Sequence, residues 1–243
     1  MNPLSSTLQT VAPGLQARGL ALPLNLADYR LIAFDMDATL ITVESMDEIA
    51  ECAGLRTSMA AMTAAAMRGE GGDYAQNLRK RVGMLAGVPE SVLETVWRER
   101  IRPTPGAETL IQACKAAGLR CILVTSGFTW FAEKLKTRLQ LDDLRANVLE
   151  IADGRLTGKL LPQPWGDCFD GEGKRQKVLE TCAQMGIGPE QAIAVGDGAN
   201  DLPMIRTAGL PVAFHGKPVL RAEARVAIDE GGLDRLLELF ARA

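Results

Sequence analysis

Four short runs of the chain are continuously apolar: Leu31–Phe34, Cys121–Val124, Ala192–Val195 and Leu210–Phe214. Between them lie longer segments whose apolar residues recur at helical spacing. These are Ala107–Ala117, entered after Thr104-Pro105-Gly106, then Trp130–Leu139 and Lys177–Met185. Strands that are apolar throughout, separated by helices, predict a parallel sheet covered on both faces. The stretch Ala152–Gly158 centres on Asp153-Gly154 and predicts a hairpin turn, hence a small antiparallel flap.

Residues 46–103 differ. They are rich in helix formers, with an alanine-rich patch at Ala60–Met67, and carry no strand signal. Inserted between the first and second strands, they predict a small helical cap, with the two-proline stretch Arg102–Gly106 as the point of return. The expected organisation is an N-terminal extension over 1–28 with no assigned role, a core of 29–45 and 104–243, and a cap of 46–103.

Polar residues gather where the strands end. The first run leads into Asp35-Met36-Asp37, the second into Thr125-Ser126-Gly127, and the third into Gly196-Asp197-Gly198. Open α/β sheets bind ligands in the crevice beyond the carboxyl ends of their strands. Three strands therefore direct carboxylates, hydroxyls and glycines to one edge.

Composition narrows the chemistry. The net charge of −3 offers no basic face for nucleic acid, and no apolar stretch approaches a membrane span. The first twenty residues lack the basic start and apolar run of a secretory leader. Five cysteines with no C-x-x-C pair suit reduced, buried thiols, so a cytoplasmic protein is expected. The one histidine, His215, cannot build a histidine-rich metal site and is expected to be a loop residue with its hydrogen bonds satisfied.

Crowded carboxylates repel and resist desolvation; a hard divalent cation relieves both, which points to Mg²⁺. Asp35 is suited to attack phosphorus and form an aspartyl-phosphate. Strand alternation would turn Asp37 to the same pocket, as acid for the leaving oxygen and then base for water. Thr125 and amides at a helix start would hold phosphoryl oxygens, and a lysine would offset charge developing in transfer. Taken singly, D-x-D is commonly a turn or cap, G-D-G-x-N-D a turn with an N-cap, and T-S-G a loop. Their joint order carries the argument.

The stretches "DMDATL", "VTSGF" and "VGDGANDLPMI" resemble the haloacid dehalogenase (HAD) superfamily and, within it, the phosphoserine phosphatase family. The resemblance runs from about Leu31 to the end of the chain. It implies a Rossmann-like parallel core with a C1-type helical cap and hydrolysis of a small phosphomonoester, O-phospho-L-serine, in serine biosynthesis. It also implies Asp35 as nucleophile, Asp37 as acid/base, and Asp35, Asp37 (through its carbonyl) and Asp197 as Mg²⁺ ligands. By the same resemblance Glu44 meets the substrate ammonium, Arg81 its carboxylate, and Asn200 the substrate, while Asp201 stands behind the ligands. An arginine fork does suit a carboxylate.

The chain departs from the family at Thr125-Ser126, where serine and glycine are usual, and in the proline- and aromatic-rich stretch Leu160–Gly173. The phosphate lysine is Lys174 or Lys177, with Lys174 preferred because Gly171 and Gly173 would make its loop adaptable. Two other readings stay open: a HAD phosphatase or phosphotransferase acting on another small phosphomonoester, and a non-enzymatic phospho-receiver. No G-x-x-x-x-G-K-[ST] or G-x-G-x-x-G supports a nucleotide cradle.

Overall fold

The apolar runs form the centre of a nine-stranded sheet in a computed structural model that describes residues 7–57, 59 and 73–241. In chain order the strands are β1 (Gln9–Ala12), β2 (Leu15–Ala17), β3 (Leu31–Phe34), β4 (Arg120–Phe128), β5 (Asp143–Ala152), β6 (Arg155–Leu161), β7 (Ala192–Gly196), β8 (Leu210–Phe214) and β9 (Val226–Ile228). Their spatial order is β1-β2-β9-β8-β7-β3-β4-β5-β6. Every pairing from β9 across to β5 is parallel, and the two flanks are antiparallel.

Strand alternation explains why the central runs had to be apolar at every position. Ile32 and Phe34 of β3 pack into one core layer, whereas Leu31 and Ala33 pack into the other. Helices α4 (Ala107–Ala116), α5 (Thr129–Leu139) and α6 (Gly171–Met185) connect the strands. Both faces are thereby removed from water.

Helices α1 (Ser45–Cys52), α2 (Tyr74–Gly83) and α3 (Ser91–Glu99) lie between β3 and β4 in the chain. The exit and return of this segment touch: Thr104 N–H donates to Leu40 O at 2.9 Å, and Thr42 N–H to Arg102 O at 3.2 Å. The turn after α2 docks on the β5–β6 hairpin, with Gly87 N–H donating to Leu156 O and Leu156 N–H to Val88 O. The alanine-rich stretch 60–67 lies outside the described residues. Among the described residues no helix is long and apolar enough to cross a membrane.

Several expectations need correction. Residues 9–17 are not a loose extension: β1 and β2 form a hairpin that pairs with β9, closing one flank of the sheet. Strand β4 continues through Thr125-Ser126-Gly127 to Phe128, with a register irregularity against β5. The helix expected from Lys177 starts at Gly171, because Asp170 caps it by accepting from Gly173 N–H at 3.0 Å. Lys174 therefore stands in the first turn of α6, not in an adaptable loop. Helix α7 (Leu202–Thr207) follows the Gly196-Asp197-Gly198 stretch, and α8 (Pro218–Arg221) follows β8.

Candidate active site

Beyond the C-terminal ends of β3, β4 and β7 opens a cleft of about 740 Å³, roofed by α1 and α2. Asp35, Asp37, Glu44, Arg81 and Asp197 all line it. So do Thr125, Ser126 and Asn200. Lys174 is fully buried at its base, and Asp201 is buried behind.

The chain leaves β3 through a tight irregular turn, so strand alternation does not bring Asp35 and Asp37 together. Asp37 is extended (φ −66°, ψ 135°), and Ala38 takes the left-handed conformation at φ 52°. That reversal folds the following residues back toward Asp37, whose Oδ1 accepts from Ser45 N–H at 2.8 Å, at the start of α1. The dipole of α1 favours an anion there. Gly127 is required by this packing. A Cβ on it would stand 2.9 Å from Asp37 Oδ2 and 2.7 Å from Met36 Cε.

Lys174 organises the floor. Its Nζ is 2.8 Å from Asp35 Oδ1 and 2.7 Å from Asp201 Oδ1. The other oxygen of Asp201 accepts from Asp197 N–H and Gly198 N–H, each at 3.1 Å. Asp201 thus ties the lysine to the β7 loop, and its lone pairs are largely taken. Gly196 permits this, since a Cβ there would lie 2.4 Å from the Asp201 carboxylate. Lys177, one turn further along α6, pairs instead with Asp143 at 2.6 Å.

The electrostatics follow from crowding. Burial and the neighbouring Asp201 push Asp35 well above the ordinary carboxylate range, with Lys174 opposing. Burial lifts Asp37 to about 6, partly offset by its bonds to Ser45. Glu44 remains open to water through the cleft mouth, yet close packing together with Asp37 and Asp197 raises it to about 7. Burial also raises Asp197, against the pull of Lys217, whose Nζ is 3.3 Å away. For Lys174, burial disfavours the charge, but Asp201 and Asp35 outweigh it and raise the pKa. Such a set of desolvated acids is built to receive positive charge.

The donor chemistry fits a hard cation. Carboxylate oxygens of Asp35, Asp197 and Asp201 lie within 4.8 Å of one another. With Asp201 committed to Lys174 and to two amides, Asp35 and Asp197 are the freer ligands. Neither nitrogen nor sulfur donors belong to this cluster, which suits Mg²⁺.

Further residues escaped sequence reasoning. Asp47 accepts from Arg81 Nη2 at 2.8 Å, holding the guanidinium at the cleft. Asn147 on β5 donates to Ser126 O at 2.8 Å and Phe169 O at 2.9 Å, and accepts from Phe169 N–H at 2.7 Å. It joins the Thr125–Gly127 segment to the loop that enters α6. Lys217 and Tyr74 also line the cleft. The spacing of Tyr74, Asn77, Leu78 and Arg81 was the available signal, since i, i+3, i+4, i+7 marks one helix face. His215 is a loop residue, as expected, with Nε2 3.0 Å from Gly231 O. All five cysteines are free.

Comparison with known proteins agrees with this geometry. A family model for haloacid dehalogenase-like hydrolases matches residues 32–206. The phosphoserine phosphatase of Albidiferax ferrireducens is 56% identical over 230 residues, covering 95% of this chain and 97% of its own. A solved structure of a phospho-aspartyl intermediate analogue of phosphoserine phosphatase superposes with a TM-score of 0.80 at 37% identity, covering 88% of this chain and 99% of that one. A substrate-bound phosphoserine phosphatase complex gives the same TM-score, identity and coverage.

Proposed function

The chain belongs to the haloacid dehalogenase-like hydrolases, and from that premise we propose that it hydrolyses O-phospho-L-serine to L-serine and phosphate. It is a phosphomonoester hydrolase of the phosphoserine phosphatase type. The observation that carries the substrate is the division of charge in the cleft. Asp35 and Lys174 form the floor, while Glu44 stands at the N-cap of α1 and Arg81 on α2. Phosphoserine presents a phosphate, an ammonium and a carboxylate, one complement for each.

In this reading Asp35 attacks phosphorus. An oxygen–phosphorus bond forms to its carboxylate while the bond to the serine oxygen breaks. Asp37, raised to about 6, gives its proton to that leaving oxygen. The resulting carboxylate then takes a proton from water, whose oxygen attacks phosphorus and releases Asp35 and inorganic phosphate. Lys174 favours the ionised form of Asp35 and offsets charge on the phosphoryl oxygens. Thr125, Ser126 and Asn200 would hold the substrate, Glu44 its ammonium, and Arg81 its carboxylate.

Asp35, Asp197 and the main-chain carbonyl of Asp37 would hold Mg²⁺. When bound, the ion neutralises the acidic cluster and polarises the phosphoryl group. Helices α1–α3 would act as a cap over residues 46–103 that excludes bulk water during transfer. The reaction belongs to serine biosynthesis, and a cytoplasmic setting is consistent with free thiols.

Phosphate release from O-phospho-L-serine, measured beside other small phosphomonoesters with Mg²⁺ and with EDTA, tests the proposal. A strong metal-dependent preference for phosphoserine is expected. Preference for another ester would overturn the substrate, and no turnover of any ester would overturn the chemistry.

A further inference from the structure

Two hydroxyls of the cleft come from opposite walls; the reading above counts Ser126 among the substrate contacts and gives Tyr74 no role. Ser126 belongs to the core strand β4; its side chain is buried, its Oγ makes no hydrogen bond of good geometry, and the Tyr74 hydroxyl is close enough to interact with it. Tyr74 opens helix α2, two turns before Arg81 and on the same helix face. Although Tyr74 as a whole is 40% exposed, its hydroxyl end is enclosed by the site.

The neighbours of that hydroxyl identify which end of the cleft it reaches. Burial raises its pKa to about 12; Lys174 and a hydrogen-bonding interaction with Ser126 oppose the rise, Asp35 adds to it, and Arg81 opposes it more weakly. It therefore stays protonated over the working range and can donate its proton to an acceptor. Lys174, Ser126 and Asp35, the groups of the phosphoryl end, are among its neighbours. Two neighbouring hydroxyls, one of them buried and without a well-formed hydrogen bond, are short of an acceptor of the kind a phosphoryl oxygen supplies.

We propose that Tyr74 and Ser126 form a cap-to-core pair of hydroxyl donors to the phosphoryl group, so that helix α2 delivers Arg81 to one end of the substrate and Tyr74 to the other. The pair makes phosphoryl binding depend on the position of the cap. This deepens the phosphatase reading and rests on it. No covalent step is added; both hydroxyls keep their protons.

Tyr74→Phe removes one oxygen and leaves the ring in place. Losing one hydrogen bond to a charged group lowers kcat/KM by about tenfold to a hundredfold. The same factor is expected for phosphoserine and for an aryl phosphate, because the phosphoryl group is common to both. Ser126→Ala should act in the same direction, and the double variant should lose less than the product of the single losses. Affinity for inorganic phosphate, read by calorimetry in the Mg²⁺-loaded enzyme, should weaken about tenfold in Tyr74→Phe; this readout needs no turnover. Unchanged phosphate affinity with kinetics within about twofold of the parent would overturn the pair. A loss confined to phosphoserine would place Tyr74 at the amino-acid end and overturn it equally. If the parent enzyme rejects phosphoserine but cleaves the aryl ester, the substrate assignment fails while the aryl ester and phosphate binding still decide the role of Tyr74.

Discussion

Lys174 Nζ sits 2.8 Å from Asp35 Oδ1, with both side chains almost wholly withdrawn from solvent. The same ammonium is 2.7 Å from Asp201. One buried cation therefore stands between two buried anions. Removing the lysine leaves both carboxylates as uncompensated buried charge, which costs about 3–5 kcal/mol. Lys174→Met keeps most of the volume and should lose both turnover and about that much stability. Denaturant unfolding beside a phosphate-release assay measures both; a fully stable variant would show that the trio is not coupled.

Asp35→Asn separates chemistry from folding. An amide cannot serve as the nucleophile, so phosphate release should vanish. Lys174 keeps Asp201, and the buried charge becomes better balanced, so the melting temperature should not fall. Residual turnover near the parent rate would remove Asp35 from the nucleophile's role.

Arg81 is held by Asp47, whose side chain is 45% exposed. Exposed pairs of this kind contribute about 0–1 kcal/mol, so a substrate carboxylate can take the place of Asp47 at little cost. Arg81→Ala should raise KM for phosphoserine at least about tenfold, with little change for an aryl phosphate, which has no carboxylate. Parallel kinetics on the two esters decide this, equal effects being the outcome that excludes carboxylate recognition.

The acid cluster sets a pH dependence whose sign is unusual for carboxylates. Asp37 and Glu44 are raised to about 6 and about 7, so the folded, metal-free protein binds more protons than the unfolded chain above pH 4. Stability then falls as pH rises through these values. With EDTA, the melting temperature should be higher near about pH 5 than near about pH 8. Mg²⁺ should raise it most at the higher pH, where the carboxylates are ionised. Thermal melts at both pH values, with and without the ion, check the sign; a metal-free protein more stable at the higher pH would contradict it.

Gly127→Ala tests the tightness of the catalytic turn. The new methyl would meet Asp37 Oδ2 at 2.9 Å and Met36 Cε at 2.7 Å. A shift of the acid by a fraction of an ångström should lower kcat by about tenfold or more, with KM less affected. Unaltered kcat would mean that Asp37 has room to move without loss.

The catalytic edge was legible because it follows from local pattern. Four apolar runs require a sheet buried on both faces, and residues just past buried parallel strands must gather at one crevice. Asp35, Thr125, Ser126 and Asp197 needed nothing more than that order along the chain, whereas Asp37 reaches the cleft through an irregular turn and not by the expected strand alternation. Where a side chain reaches across elements, sequence could not decide. Lys174 and Lys177 differ by three residues; only the N-cap at Asp170 and the docking of α6 send one to Asp35 and the other to Asp143. The hairpin of β1 and β2 was invisible because such short strands lack periodic signal, and β9, which they pair with, is some two hundred residues away. Tyr74, Asp47 and Asn147 acquire their meaning only from contacts between the helical segment, the core strand and the loop into α6. Periodicity and turn chemistry act over a few residues and are written in the sequence. Ion pairs and hydrogen bonds between distant segments depend on packing geometry, and the tertiary structure alone determines them.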